Sequence, residues 1–373
     1  MTKKVFHTPE EVLQLFEVRD LPSNFCVVPF TNLIFNPGGR ISVCRQKGTD
    51  HSIGHLDKNS LDEIWNNEYI RNWRQEFLSG DVQICKKEQS RDACHLWSSN
   101  YHFFDEASLK VVQEKKIIKV TANFNGQCNL ECKMCHIWKM ENGYYDKNNF
   151  WENAEKDFFP FIKEIELLSG EPFVQKDTYK LIDKISSVNN DCYWSFTTNA
   201  HWKLNSTVIN SLNKINVKNI IISIDSLKPE TFAEIRKGGS LKKLLQTVDD
   251  LLAYDKTRLE MGKSSLGLTL HFTAMRDNFL EALDIITFCE EKGLRHSFKT
   301  LLTPDSLSVL TLPYDERLDL LGSFVNNANY TQLKKAMRVV RPLTEQLLPL
   351  DKARIFELMF QKLRPSGAVA ANE

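Results

Sequence analysis

The chain has no surplus of either charge. Lys plus Arg number 48, as do Asp plus Glu, so the formal net charge is zero, and no basic excess marks a nucleic-acid footprint. The opening stretch MTKKVFHTPEEV contains no apolar core of the kind a signal peptide needs. No apolar run approaches the length of a membrane span. Internal repeats and low-complexity tracts are also lacking. With 42% hydrophobic residues, the composition reads as a soluble globular protein with no membrane partner. The 373 residues suffice for one substantial domain and a smaller one attached.

Cysteine, by contrast, is plentiful. Nine cysteines in a chain without an export signal read as metal or redox thiols kept reduced in the cytoplasm rather than as disulfides. Three of them, Cys128, Cys132 and Cys135, stand as CxxxCxxC within QCNLECKMCHIW, after the strand-like run Ile117–Phe124. Three thiolates this close can ligate three irons of a 4Fe–4S cluster and leave the fourth iron open to a substrate or cofactor. A zinc site is the alternative, but such sites usually close with a second cysteine pair, and the triplet has no fourth cysteine nearby.

Further motifs follow in order. Ile165–Leu168 reads as a strand running into Ser169-Gly170-Glu171-Pro172, where glycine permits close backbone approach and a carboxylate with free carbonyls suits an ammonium group. Tyr193–Asn199 reads as a strand ending in Thr-Thr-Asn. Ile220–Ser226 reads as a buried strand ending in Ser-x-Asp, and FAEIRKGG follows it. Each motif falls at a strand's carboxyl end, where parallel α/β folds bind their ligands.

Taken together, these motifs resemble those of the radical S-adenosylmethionine (SAM) enzymes over roughly Ile117 to Leu302. The resemblance implies that Cys128, Cys132 and Cys135 hold a 4Fe–4S cluster whose open iron is chelated by SAM. It also implies that Ser169, Gly170 and Glu171 receive the SAM amino group, and that Asn199, Ser223 and Arg236 stand at its other groups. Ser169 departs from the family's GGEP pattern, which has glycine there. In that family one electron from the cluster cleaves SAM, and the resulting 5′-deoxyadenosyl radical takes a hydrogen atom from the substrate. A flavodoxin- or ferredoxin-type protein is the implied electron donor.

Four more cysteines precede residue 105. Twelve residues separate Cys26 from Gly39, and four more separate Gly39 from Cys44. This opening resembles the SPASM and Twitch auxiliary-cluster domains. Asn36-Pro37-Gly38-Gly39 is a hairpin turn pattern between TNLIF and RISVC. Ser60 and Glu63 form a capping box ahead of a helix whose Leu61, Ile64, Trp65, Tyr69, Trp73 and Phe77 share a core-packing face. A full SPASM array would place cysteines at positions 85, 88, 94 and 98. This chain has Cys85, Glu88, Cys94 and Ser98. The resemblance therefore implies a single auxiliary 4Fe–4S cluster on Cys26, Cys44, Cys85 and Cys94, with structural zinc as the alternative. Full ligation leaves no open iron, which favours electron transfer over substrate binding. Cys192 and Cys289 read as core residues.

The expected organisation is a Twitch/SPASM-like domain over 1–105, a linker over 106–116, a radical SAM core over 117–302, a helical region over 303–363 and a disordered tail over 364–373. The expected fold class is α/β: a partial (β/α)6 TIM-type barrel preceded by a small α+β cluster-binding domain. Strand-like runs lie near 117–124, 163–168, 192–198, 218–225, 265–274 and 295–301, alternating with helical patterns as parallel sheets require. The expected function is SAM cleavage and hydrogen abstraction from a small-molecule or peptide substrate, with net oxidation assisted by the auxiliary cluster. Alternatives are a SPASM-type peptide or protein maturase and a non-enzymatic iron–sulfur or zinc-binding protein. Only twenty-five residues precede Cys26, which disfavours a built-in leader-binding domain.

Overall fold

The computed structural model describes residues 8–47, 51–85, 94–114, 117–147 and 149–363. The expectations for Glu88 and for the tail 364–373 lie outside the described residues. Eleven strands occur among them. They are β1 (Asn32–Phe35), β2 (Arg40–Ser42), β3 (Ser52–His55), β4 (Lys119–Ala122), β5 (Glu131–Cys132), β6 (Glu164–Leu167), β7 (Tyr193–Thr198), β8 (Asn216–Ser223), β9 (Arg236–Lys237), β10 (Thr269–Ala274) and β11 (Arg295–Thr300). The fold is α/β with parallel strands, because the β-branched runs that form strands alternate with amphipathic helical stretches.

The chain divides into two compact units. The first takes Met1–Cys128, Ile137–Phe196 and Asn205–Lys218; the second takes Asn129–His136, Thr197–Leu204 and Asn219–Glu373. In the first unit β7, β6, β4 and β1 are successive parallel neighbours, and β2 and β3 continue antiparallel from β1. The strand of the cysteine-rich N-terminal stretch is thus hydrogen-bonded to β4, with Asn32 opposite Lys119 and Phe35 opposite Ala122. The hairpin at Asn36–Gly39 forms as expected: Gly38 and Gly39 both take positive φ, and a Cβ on Gly39 would collide with the Tyr144 ring.

Ser60 and Glu63 close their capping box at the head of helix Leu61–Trp65. The helix then breaks. Asn67 caps a second helix, Glu68–Ser79, through its side chain and the Ile70 N–H. The expected common face is therefore split between two helices: Ile64, Trp65, Trp73 and Phe77 are buried, while Tyr69 is 40% exposed. Asn side chains favour such capped interruptions because they compete for backbone hydrogen bonds. Phe35 stacks on Phe158, and Phe124, Tyr145 and Phe150 pack edge-on around them.

In the second unit β8, β10 and β11 are parallel neighbours, with His271 level with both Ser223 and Ser297. Helix Ala282–Lys292 packs on β10 and β11, and its Cys289 is buried, as is Cys192 of the first unit. Burial pushes the Cys289 thiol up to about 12. Residues beyond 303 are mainly helical, with helices at Tyr314–Asn327, Tyr330–Lys335, Met337–Thr344 and Pro349–Leu363. A short helix at Pro229–Ile235 was not anticipated. No helix among the described residues is long and apolar enough to cross a membrane.

Candidate metal and cofactor centre

In the first unit, the segment leading into Cys128 is bonded to the Ser-Gly-Glu loop. Ser169 Oγ donates to Asn125 O at 2.7 Å, and the Glu171 N–H donates to Gln127 O at 2.9 Å. Gln175 Nε2 lies 2.9 Å from both Gln127 O and Ser169 O. Gly170 takes φ +60°, and a Cβ there would sit 2.2 Å from Gln127 O. Only glycine permits that approach. Glu171 is 0% exposed, and its Oε1 accepts the Phe173 N–H, so its carboxylate helps shape the loop. Gly126 lies against Ile137 O, leaving no room for a Cβ; this draws together the two ends of the cysteine loop.

The second unit holds the rest of that loop. Cys132 lies in β5, which pairs antiparallel with β9, Cys132 opposite Arg236. Cys135 N–H donates to Cys132 O, and Lys133 N–H to Ile235 O. Arg236 is 6% exposed. Its Nη2 lies 2.7 Å from Asp225 Oδ2, and its Nη1 donates to Cys132 Sγ at 3.8 Å. Burial works against the charged guanidinium, but Asp225 and then Cys132 hold its pKa above the ordinary value. Asp225 is wholly buried; its Oδ1 accepts the Thr273 N–H and its carbonyl accepts Asn278 Nδ2. Sequence reasoning passed over Asp225, although the strand-end Ser-x-Asp pattern marked it.

Asn199 makes a tight turn, its Oδ1 accepting the His201 N–H at 2.8 Å, the local bond that suits Asn to strand ends. Its Nδ2 donates to Asn129 Oδ1, and Asn129 Nδ2 donates to His201 O. Asn199 therefore fastens the residue after Cys128 to the end of β7. Ser223 ends β8 and is half-buried. Cys128 and Cys132 are half-buried and Cys135 is exposed.

The N-terminal cysteines share one neighbourhood in the first unit. Burial pushes the Cys26 thiol well up, and the charges of Cys44, Cys94 and Cys85 push it further. Tyr101 Oη lies 2.7 Å from His95 O and 3.3 Å from Phe25 O, and His95 Nε2 lies 3.1 Å from Ser23 O. These bonds clamp the backbone beside Cys26 to that beside Cys94. Among the described residues, no three His, Cys, Asp or Glu side chains converge closely enough to hold a single metal ion.

The donor chemistry of these cysteines suits iron–sulfur ligation. Cys44, Cys94 and Cys85 lie near enough to Cys26 to raise its pKa further, and a thiol that is costly to ionise when buried becomes a thiolate on metal binding. Arg236 places positive charge beside Cys132, and the Gly170 cradle keeps side-chain bulk out of the Ser-Gly-Glu loop.

Residues 122–286 match the radical SAM superfamily, and residues 26–95 match an iron–sulfur cluster-binding domain, SPASM. The chain is 26% identical to the GTP 3′,8-cyclase of Nautilia profundicola, over 50% of this chain and 56% of the cyclase. It is 29% identical to that of Clostridium botulinum, over 37% of this chain and 44% of the cyclase. The chain thus spans about half the length of the curated relatives it matches. SuiB of Streptococcus suis bound to S-adenosylmethionine shares 14% identity at a TM-score of 0.40, covering 71% of this chain and 59% of SuiB.

Proposed function

The two matched domains place this chain in the radical SAM superfamily, with an iron–sulfur cluster-binding domain N-terminal to the radical SAM domain; from that premise we propose that it cleaves SAM reductively and abstracts a hydrogen atom from a small-molecule or peptide substrate. The enzyme's cofactors are a SAM-binding 4Fe–4S cluster, SAM and an auxiliary cluster. The reading for its ligands is Cys128, Cys132 and Cys135 for the first cluster and Cys26, Cys44, Cys85 and Cys94 for the second. When bound, the first cluster supplies the electron that cleaves SAM and so furnishes the radical that attacks the substrate.

This chain's residues do the holding. Ser169, Gly170 and Glu171 present backbone to the SAM amino group. Ser223 and Arg236 receive its ribose or carboxylate, Arg236 being aimed by Asp225. Asn199 acts on the cysteine loop through Asn129. The observation that carries the reading is the set of hydrogen bonds tying the Ser-Gly-Glu loop to Asn125 and Gln127. A protein that only carried electrons would have no need to brace such a loop against its cluster ligands.

The finer architecture belongs to the same proposal: a partial (β/α)6 barrel over 117–302, a cluster domain over 1–105 joined by 106–116, and helices over 303–363. The four auxiliary thiolates suit outer electron transfer, giving net oxidation or modification of the substrate. A flavodoxin- or ferredoxin-type donor in the reducing cytoplasm supplies the electrons. The substrate in the relatives' name, GTP, is one small-molecule candidate.

Anaerobic reconstitution tests the reading. About eight irons per chain, with 5′-deoxyadenosine formed from SAM under dithionite, is the expected result. A protein that takes up one zinc and leaves SAM intact would be a scaffold instead.

A further inference from the structure

Cys132 belongs to a closed circuit of bonds within the second unit. Arg236 Nη1 donates to its Sγ at 3.8 Å, and Arg236 Nη2 lies 2.7 Å from Asp225 Oδ2. The Asp225 carbonyl accepts Asn278 Nδ2 at 2.8 Å. Asn278 is buried and follows Asp277, whose carboxylate is paired with Lys133 Nζ. Lys133 adjoins Cys132 in the chain and closes the circuit.

Lys133 makes two further links. Its N–H donates to Ile235 O at 2.9 Å, and its Nζ lies 3.0 Å from Glu234 Oε1. Cys132 and Lys133 are thus gripped by three consecutive residues, Glu234, Ile235 and Arg236, beside the short β5–β9 pairing. A two-stranded pairing is marginal on its own in water, so these side chains decide how firmly it holds. The Lys133 side chain is 16% exposed, although lysine usually stands in solvent. The Glu234 and Asp277 side chains are 68% and 41% exposed, and ion pairs so open to water add little stability. What they add is direction. They come from separate elements, helix Pro229–Ile235 and the turn after β10, so one ammonium fixes the chain at Cys132 from two sides.

We propose that Lys133 is a positioning residue: drawn by Glu234 and Asp277, it holds Cys132 against Arg236 and so sets where the cluster on this cysteine stands relative to the guanidinium that receives SAM. This role rests on the reading above, in which Cys132 ligates the first cluster and Arg236 contacts SAM. Groups that orient a metal ligand in this way typically matter by about tenfold or more in affinity or activity.

The test uses the reconstituted full-length protein, reduced with dithionite, and follows the paramagnetic signal of the SAM-binding cluster as SAM is added. Lys133→Met, Lys133→Arg, Asp277→Asn and a control, Lys335→Met, are compared with wild type. Lys335 is paired with Glu290 elsewhere in the second unit, and iron content checks cluster loading in each variant. Lys133→Met is expected to need about tenfold more SAM for half of the spectral shift. Asp277→Asn should move the midpoint the same way by a smaller factor, Lys133→Arg should restore it, and Lys335→Met should leave it unchanged. A role in stability alone would lower the unfolding midpoint and leave the spectral midpoint where it was. An unmoved spectral midpoint in Lys133→Met, a change that Lys133→Arg does not restore, or an equal change in Lys335→Met overturns the proposal. Should Lys133→Met load no iron, Asp277→Asn decides, and an unmoved midpoint there overturns it. Wild type whose signal ignores SAM refutes the underlying reading; wild type that responds at the same SAM concentration as Lys133→Met refutes the positioning role alone.

Discussion

Arg236 keeps its charge where water hardly reaches, and Asp225 makes that tolerable. A buried ion pair is weak evidence for stability, but removing one partner strands the other in a low-dielectric site. Asp225→Asn is therefore expected to destabilise the protein by about 3 kcal/mol, read from the urea unfolding midpoint. It should also weaken SAM binding, because the guanidinium loses the anchor that aims it past Cys132. A variant as stable as wild type, with unaltered SAM affinity, would show that the pair does neither. At this scale the sequence pointed to the charged and sulfur residues but not to their partners. Arg236 was legible through the motif it resembles. Its bond to Asp225 was not, because eleven positions of chain separate them and only the β5–β9 and β8–β10 pairings bring them together. Asn199 was read as a ligand contact; its side chain also bonds the Asn129 side chain and the His201 N–H.

Glu164, the first residue of β6, joins three strands. Its carboxylate lies 3.0 Å from Lys119 Nζ of β4 and 2.6 Å from Lys218 Nζ of β8. Burial alone would raise its pKa, but Lys119 and Lys218 hold it below the usual carboxylate value. A carboxylate with a lowered folded-state pKa contributes stability that is fully present above its unfolded value, about 4.3. That contribution is lost as the pH falls through the lower folded-state value, because the unfolded chain then binds the proton first. Glu164→Gln should therefore melt below wild type at pH 7, with the gap narrowing as the pH drops through about 4 towards 2. Melting curves recorded across that range give the answer, and a gap that stays constant would refute the assignment. Among elements, the strands were the most legible, since short apolar β-branched runs mark them. The break at Asn66-Asn67 and the helix at Pro229–Ile235 were less so. Two short helices can share one apolar period, and a seven-residue helix barely completes two turns.

Across the whole molecule, the proposed ligand assignment divides seven cysteines between two clusters. Cys94→Ala should lower the iron content of the reconstituted protein by about half, while the paramagnetic signal of the remaining cluster still shifts when SAM is added. Iron assays and resonance spectra measure both. Unchanged iron would show that Cys94 is not a ligand. The sequence groups Cys26, Cys44, Cys85 and Cys94 through a spacing that resembles that of known cluster domains. The clamp formed by Tyr101, His95 and Phe25, which fixes Cys26 near Cys94, has no local pattern to betray it.

Short-range order in the chain was enough to mark the cysteine loop, the Ser-Gly-Glu turn and the strand positions, since each depends on residues within a few positions of one another. Tertiary structure alone decided that β1 lies along β4, that Arg236 answers to Asp225, and that His271 stands level with both Ser223 and Ser297. Those relations are set by which strands become neighbours and in what register. A register depends on pairing between distant segments, and a shift of one residue would turn each side chain to the opposite face.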